Sequence, residues 1–231
     1  MNVFLGSDFH FGHNKPFIYE DRGFKTIEEH DEALITGIKK YVNAISNPIY
    51  PKTLIFLGDF ALQCGQEYAY RKLETLTRIF DKILYIFGNH ESQIKAIVKK
   101  VNAEDRFPFV AQSDPVLKSV VFLGHGMQQI HFGDSKHAVL SHYPLAVGPR
   151  NGYPDMFVNL CGHSHGSFGP SNWDREFRPF KCWDDYLKAA AENPALISPA
   201  YDVGVENCMR FNGTPIIELN EFWDKITKNR K

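Results

Sequence analysis

The chain has 231 residues, of which 43% are hydrophobic and 23% are charged, and these ordinary globular values exclude a disordered chain or a fibrous repeat. The 26 lysines and arginines nearly balance the 27 aspartates and glutamates, so no overall positive field gathers nucleic acid or an anionic membrane. The length suits one large domain better than two small ones, because one continuous core can still form at this size. We therefore predict a single domain spanning residues 1–231.

The cysteines and the hydropathy pattern indicate the cellular compartment. Four cysteines are scattered without a C-x-x-C pair, which excludes a zinc ribbon and is typical of reduced thiols: Cys64, Cys161, Cys182 and Cys208. No stretch approaches the roughly eighteen consecutive apolar residues that a membrane span needs, and the apolar start is too short for a signal peptide. We predict a cytoplasmic protein that has no membrane partner.

Five short apolar runs each end near a polar residue that can bind a metal. The runs cover residues 3–5, 54–57, 83–87, 138–140 and 156–161. The polar residues that follow them are Asp8 and His10, Asp59, Asn89 and His90, His142, and His163 and His165. Continuous apolar runs rich in Val, Ile and Phe are typical of strands that are buried on both faces of a sheet. We therefore expect helices on both sides of the sheet.

The segments between the first three runs predict helices. Thr26 and Glu29 have the spacing of a capping box, and an apolar stripe at helical period continues from there to Ile45. Similar stripes predict a second helix near residues 73–80 and a third near residues 94–101. The alternation of strands and helices indicates an α/β fold.

The second half of the chain has a different pattern. Glycine-separated apolar stretches predict further strands at residues 116–123, 128–132, 138–140, 201–205 and 215–219, with a terminal helix from about Glu221. An aromatic-rich insertion at about residues 167–199 has two interpretations. It is either a helix and loop that pack on the core or on a subunit partner, or a wall of the substrate cleft.

The polar residues at the strand ends are informative as a set. Each one alone is a weak signal, because a single histidine is more often structural than functional. The carboxyl ends of strands in an open α/β sheet, however, converge on one crevice. A glycine shortly before the polar residues suits a tight bend of the backbone as it leaves each strand, and it recurs at Gly6, Gly58, Gly88 and Gly162.

The types of these side chains predict a two-metal site. Carboxylate, imidazole and amide ligands without a thiolate suit Mn, Fe, Ni, Co or Zn better than Ca or Cu(I). Seven such ligands are too many for one ion. Two ions bridged by a carboxylate would use them all, and would clamp the attacking and leaving oxygens of a phosphoryl displacement. The residues therefore favour a binuclear hydrolase.

Five sequence blocks carry a resemblance to a known family. They are Asp8-Phe9-His10, Gly58-Asp59, Gly88-Asn89-His90-Glu91, His142 and Gly162-His163-Ser164-His165. In this order they resemble the calcineurin-like metallophosphoesterase superfamily, and the elements Arg22-Gly23-Phe24 and Asp202-Val203-Gly204-Val205 are similar to its small prokaryotic and phage-type branch. Two positions depart from the branch, which usually has proline at Gly23 and aspartate at Glu91. The resemblance implies a four-layer α/β/β/α sandwich, with two mixed sheets flanked by helices.

The resemblance also implies a role for each site residue. Asp8, His10 and His165 would bind the first metal ion, Asn89, His142 and His163 would bind the second, and Asp59 would bridge them. His90 would lie outside the ligand set and would protonate the leaving group. The implied reaction is the in-line attack of a metal-bridging hydroxide on a phosphodiester, with a phosphomonoester as the second choice. The cofactors would be two divalent ions of Mn, Fe, Ni or Zn.

Two further residues are candidate substrate contacts, and several questions stay open. His13 follows the first strand end and could either contact a substrate phosphate or support a metal ligand, and Arg150 follows the His142 loop and could hold a phosphate oxygen. The candidate substrates include a nucleotide and a short oligonucleotide, and a homodimer is also open. Two alternative functions remain, namely a non-catalytic metal-binding scaffold on the same fold and a metallohydrolase of a non-phosphate bond.

Overall fold

The computed structural model describes residues 1–132, 136–144, 157–165 and 200–228. In these residues the strands are β1 Asn2–Gly6, β2 Lys52–Phe56, β3 Lys82–Ile86, β4 Val120–Gly124, β5 Gln128–Phe132, β6 Lys136–Leu140, β7 Phe157–Cys161, β8 Ala200–Asp202 and β9 Ile217–Glu218. The helices are α1 Pro16–Tyr19, α2 Ile27–Ile45, α3 Gln66–Thr77, α4 Ser92–Lys99, α5 Val205–Asn212 and α6 Leu219–Lys228. The strands form two mixed sheets, so the predicted α/β class is confirmed. The insertion predicted at residues 167–199 lies outside the described residues.

The first sheet has the strand order β4-β3-β2-β1-β9. Its first four strands are parallel, with Phe4 opposite Leu54 and Leu54 opposite Ile83, and β9 runs antiparallel to β1. The first three apolar runs of the sequence therefore lie side by side. Because the strands are parallel, their carboxyl ends meet at one edge of the sheet.

Alternate side chains of the first sheet enter two different hydrophobic cores, because successive residues of a strand point to opposite faces. Phe4 belongs to a buried cluster with Leu34 of α2 and Leu73 of α3. Its neighbour Leu5 belongs to a second cluster with Leu140 of β6. The prediction of helices on both sides is therefore wrong for this sheet: helices cover one face, and the second sheet covers the other.

The second sheet has the strand order β5-β6-β7-β8, with β5 antiparallel to β6 and the remaining strands parallel. Leu160 of β7, Tyr201 of β8 and Trp223 of α6 complete the core between the sheets. Strands β6 and β7 are parallel neighbours, so the turns that carry His142 and His163 leave the same edge of this sheet. Both sheets thus bring their ligand-bearing turns to one place.

The helix predictions are largely confirmed, with differences at the ends. The Thr26 hydroxyl accepts a hydrogen bond from the Glu29 backbone N–H at 3.1 Å, so α2 begins at its predicted cap. Helix α3 lies earlier than predicted, because Ile79 and Phe80 are buried in the turn before β3 and are not helical. An apolar residue in the turn after a helix can continue the helical spacing of buried residues, so the sequence pattern extends beyond the helix.

Three strands of the second half are shorter than predicted, and the shortest is β9, which is only Ile217–Glu218. Strand β4 starts late because Leu117–Ser119 form a 3₁₀ turn, whose first amide donates to the Asp114 carboxylate at 2.8 Å. Strand β8 ends at Asp202, and the sequence does not predict the helix that begins at Val205. That helix ends at Gly213, which has the left-handed φ of 75° typical of a C-terminal cap.

The described residues contain no helix that is both long and apolar enough to cross a membrane. Three of the four cysteines are described, and all three are free thiols, namely Cys64, Cys161 and Cys208.

Candidate metal centre

The candidate ligands lie in turns with unusual backbone geometry. Seven non-glycine residues in the described part of the chain have a left-handed backbone, with φ between 47° and 73°. Five of these seven are predicted metal ligands, namely Asp8, His10, Asp59, His163 and His165. Such a backbone costs on the order of 1–3 kcal/mol per residue and persists only where surrounding contacts impose it. Its concentration in these turns points to a functional site.

Two glycines next to the ligands are required by space. A Cβ atom on Gly88 would overlap a carboxylate oxygen of Asp59, and one on Gly162 would overlap Ser7 and a carboxylate oxygen of Asp8. Neither glycine has a positive φ, so the lack of a side chain is what matters. The sequence places glycines shortly before the ligands, and the structure gives a steric reason for these two.

Asp8, His10 and His165 form a first triad of donor atoms. The Nε2 atoms of His10 and His165 are 3.2 Å apart, and each lies 4.0 Å from Oδ1 of Asp8. Asp8 and His10 are buried, whereas the His165 side chain is 35% exposed. The first triad is therefore mostly shielded from solvent.

Asp59, His142 and His163 form a second triad. Asp59 Oδ2 lies 3.5 Å from His142 Nε2 and 3.8 Å from His10 Nε2, so one carboxylate oxygen lies between the two triads. Asn89 Oδ1 is 2.8 Å from His142 Nε2 and 2.9 Å from His163 Nδ1. The structure thus brings all seven predicted ligands together.

The donor atoms of the first triad fit a divalent cation. The Nδ1 atom of His165 must donate to the carboxylate of Glu206, 2.9 Å away, because a carboxylate only accepts. Its Nε2 atom therefore faces the Nε2 atom of His10 at 3.2 Å. Ligand atoms bound about 2.1 Å from one ion lie about 3–3.5 Å apart, so this spacing suits two imidazoles on one metal.

The second triad fits a cation for the same reasons. The Nδ1 atom of His142 donates to the Leu57 carbonyl at 2.7 Å, so its Nε2 atom is left to bind a metal. Burial lowers the pKa of His142 and of His163, which favours the neutral imidazole that metals require. Burial also raises the pKa of Asp8 well above its ordinary value, and the charge of Asp59 adds to this effect. A cation between the triads would relieve that repulsion.

The other predicted site residues lie outside both triads. The His90 side chain is exposed, its ring centroid is 5.8 Å from that of His10, and its backbone N–H donates to Asp59 Oδ1 at 2.7 Å. His13 is only 5% exposed, with the ring of His10 on one side and that of Phe17 on the other. This position favours support of His10 over contact with a substrate. Arg150 lies outside the described residues.

Sequence reasoning assigned no role to two residues that hold the first triad. Glu206 Oε1 accepts a hydrogen bond from His165 Nδ1 at 2.9 Å, and two more from Arg22, from Nη2 at 2.7 Å and from Nε at 2.9 Å. Burial alone would raise the pKa of Glu206, but the charges of Arg22 and His165 lower it overall, so the carboxylate stays ionised. The available signal was that Glu206 directly follows a recognised sequence element.

Glu91 has a corresponding place beside the second triad. It is fully buried, and its Oε1 atom accepts hydrogen bonds from the backbone N–H groups of Asp59 at 2.5 Å and of Gly88 at 3.3 Å. Its Oε2 atom accepts a hydrogen bond from the Tyr85 hydroxyl at 2.7 Å. Burial, together with the charge of Asp59, raises the pKa of Glu91 to about 8. From the sequence, Glu91 was noted only because the branch that the chain resembles usually has aspartate there.

Comparisons with known proteins show the fold alone. A scan against protein-family models and a search of curated proteins each find no match. Among solved structures, the chain is similar to a protein of unknown function, AQ665, from Aquifex aeolicus, with a TM-score of 0.54, 18% identity, and coverage of 97% of this chain and 98% of that chain. A phosphopantetheinyl hydrolase, PptH, from Mycobacterium tuberculosis aligns with a TM-score of 0.30 and 14% identity over 99% of this chain and 61% of that chain. The similarity to AQ665 shows a shared fold, whereas the TM-score with PptH is too low to support an argument.

Proposed function

We propose that this protein is a binuclear metal-dependent phosphoesterase of the calcineurin-like superfamily, with the four-layer α/β/β/α fold of that superfamily. The observation that carries the proposal is the position of Asp59. Its Oδ2 atom lies 3.8 Å from His10 Nε2 and 3.5 Å from His142 Nε2, so the carboxylate of the second triad also lies next to a histidine of the first. A shared carboxylate is how two-metal hydrolases hold ions roughly 3.5–4 Å apart.

Seven side chains would hold the two ions. Asp8, His10 and His165 would bind the first, Asn89, His142 and His163 the second, and Asp59 both. Oxygen and imidazole donors without a thiolate suit Mn, Fe, Ni or Zn. When bound, the ions would polarise the phosphoryl group and lower the pKa of the attacking water.

The second triad offers the side from which a substrate can approach. Asn89 and His163 are exposed, and the ring of Tyr143, which is 48% exposed, lies 4.7 Å from that of His163. His90 is also exposed, and its ring centroid lies 5.8 Å from that of His10. We expect the His90 imidazole to donate a proton to the leaving oxygen of the ester, a role typical of histidine near neutral pH.

The proposed substrate is a phosphodiester, with a phosphomonoester as the second choice. Duplex DNA is bound through many lysine and arginine contacts to phosphates, and a chain with a net charge of −1 is poorly suited to that. A nucleotide or a short oligonucleotide is therefore the substrate class that we favour.

The proposal is tested by hydrolysis of bis(p-nitrophenyl) phosphate beside p-nitrophenyl phosphate. The protein is first stripped with a chelator and then given Mn²⁺, Ni²⁺ or Zn²⁺ separately. We expect the metal to restore diester hydrolysis, and we expect His163→Ala to lose it. The matched control is His131→Ala, which removes an exposed histidine outside both triads and should keep the rate.

The other outcomes separate the alternative functions. Cleavage of the monoester alone would change the assignment to a phosphatase. Two bound ions without hydrolysis of either ester would contradict the proposal and favour a non-catalytic metal-binding scaffold. Hydrolysis of p-nitrophenyl acetate, with neither phosphate ester cleaved, would favour a metallohydrolase of a non-phosphate bond.

A further inference from the structure

Arg22 is a buried arginine whose guanidinium nitrogens all have partners next to the first triad. Its side chain is 3% exposed. Besides the two hydrogen bonds to Glu206, it donates from Nη2 to the Asp8 carbonyl at 2.7 Å and from Nη1 to the Phe9 carbonyl at 3.1 Å. Nη1 also donates to His30 Nε2 at 2.8 Å. An arginine used in this way is fixed in position by its own contacts.

These contacts reach every ligand of the first triad. Asp8 and His10 have left-handed backbones, with φ of 59° and 52°, and the carbonyl groups of Asp8 and Phe9 join them. Arg22 holds both carbonyl groups, and so supports a backbone turn that would otherwise be unfavourable. Through Glu206 it also fixes the Nδ1 atom of His165, the third ligand.

The opposite side of Arg22 is anchored in the core. His30 Nδ1 donates to Asp31 Oδ1 at 2.7 Å, which leaves its Nε2 atom as an acceptor for Arg22. Asp31 Oδ2 in turn accepts hydrogen bonds from the Gly12 backbone N–H at 2.8 Å and from the Tyr68 hydroxyl at 2.7 Å. A continuous chain of hydrogen bonds therefore links Tyr68 to the first triad.

We propose that Arg22 is a positioning residue that preorganises the first triad through Glu206 and the Asp8 and Phe9 carbonyls, so that this triad binds its metal ion more tightly than the second. In the part of the chain that the structure describes, no arginine or lysine is hydrogen-bonded to a residue of the second triad, where His142 donates to the Leu57 carbonyl. The inference rests on the proposed function only in requiring that the centre binds two ions.

The test measures Mn²⁺ binding by equilibrium dialysis, in the absence of substrate, for the wild type and for Arg22→Lys. A lysine ammonium cannot reach Glu206, both carbonyls and His30 together. Loss of such a supporting contact typically weakens metal binding about 10–100-fold, so we expect the tighter of the two dissociation constants to rise by that factor. The weaker constant should change little. The matched control is Arg71→Lys, because the Arg71 side chain is 66% exposed and forms only surface ion pairs.

A general loss of folding would weaken both sites equally, and a second variant separates that case. Glu206→Gln keeps the size of the side chain but removes its charge, and we expect it to weaken the tighter site by about tenfold. If both dissociation constants stay unchanged in both variants, or if both rise equally while the protein remains folded, the positioning role is wrong.

The outcome is independent of the proposed activity. A wild type that binds two ions but cleaves no phosphate ester would refute the proposed function and leave the positioning role supported or overturned by the binding constants. A wild type that binds no Mn²⁺ would overturn both.

Discussion

The two triads differ in how they are held. In the first, Asp8 and His10 are buried, and His165 is linked through Glu206 to the guanidinium of Arg22. The support is therefore ionic, and it extends into the core. Buried charges of this kind are costly to separate, so we expect this half of the centre to keep one geometry.

The second triad is more open, and its support comes from backbone groups. Asn89 and His163 are exposed, and His142 is held by one carbonyl group. The nearby Glu91 accepts hydrogen bonds from the backbone and from Tyr85, and it forms no ion pair with the described residues. The difference teaches how the proposed function would divide between the halves: the first would hold its ion in a fixed geometry, and the second would meet the substrate.

The two buried glutamates show the same contrast in their pKa values. The charges of Arg22 and His165 lower the pKa of Glu206, while burial and the charge of Asp59 raise that of Glu91 to about 8. The same type of side chain thus supports one triad as an anion and the other through hydrogen bonds.

Removing Asp59, which we propose as the ligand common to both ions, should abolish metal binding at both sites. Asp59→Ala takes a ligand from both sites, so we expect both ions to be lost and hydrolysis to fall by on the order of 10⁴-fold or more. Elemental analysis of the purified variant measures the metal content. Retention of two ions would rule out the bridging position of Asp59.

A change outside both triads should leave them intact. His90→Ala should keep two ions but lose roughly 10²–10⁴ in turnover on esters with poor leaving groups, because the proton donor is gone. Activated aryl esters need no proton and should lose less. Steady-state rates on an alkyl and an aryl diester measure this, and equal losses on both would exclude the general-acid role.

Removing the support of the second triad should cost stability. Glu91→Ala leaves the buried Asp59 N–H and Tyr85 hydroxyl unpaired, at about 1–3 kcal/mol each, so the free energy of unfolding should fall by about 2–6 kcal/mol. Urea denaturation measures the loss. Glu91→Gln keeps an acceptor for the amide and should lose less, and equal losses would show that the contact to Asp59 is unimportant.

Crowding the first triad gives the smallest expected effect. Gly162→Ala places a methyl group against Ser7 and Asp8, and overpacking of this kind typically costs about 1–3 kcal/mol. The matched control is Gly126→Ala, whose Cβ atom would meet only Gln128 Nε2, at 3.9 Å. Thermal unfolding of the two variants should differ, and identical melting temperatures would argue against the close packing around Gly162.

The sequence predicted which polar side chains lie together better than it predicted the limits of the helices and strands. The ligands follow apolar runs at the ends of parallel strands, and parallel pairing brings such ends together whatever the details of the helices. The strand limits near Leu117–Ser119 and Val205 were wrong, because a side-chain hydrogen bond holds the first segment in a turn and a helix with Gly204 as its N-cap begins at the second. Hydrophobic periodicity does not report either of these effects.

The contacts that support the first triad could be seen only in three dimensions, although Arg22 lies within one recognised sequence element and Glu206 directly follows another. Arg22 and Glu206 are 184 residues apart in the chain, and neither lies on a strand that carries a ligand. The face covered by the second sheet was assigned to helices for a similar reason, because an apolar run does not show which partner buries it. Sequence reasoning therefore finds the side chains that cluster at the strand ends, and misses the side chains that hold them in place.

The most direct test of a two-ion centre is a crystal of the protein grown with Mn²⁺ and measured at the manganese absorption edge. We predict two anomalous peaks roughly 3.5–4 Å apart, with the Asp59 carboxylate between them. One peak belongs beside His10 and His165, and the other beside His142 and His163. A single peak, or no peak within the triads, would contradict the account.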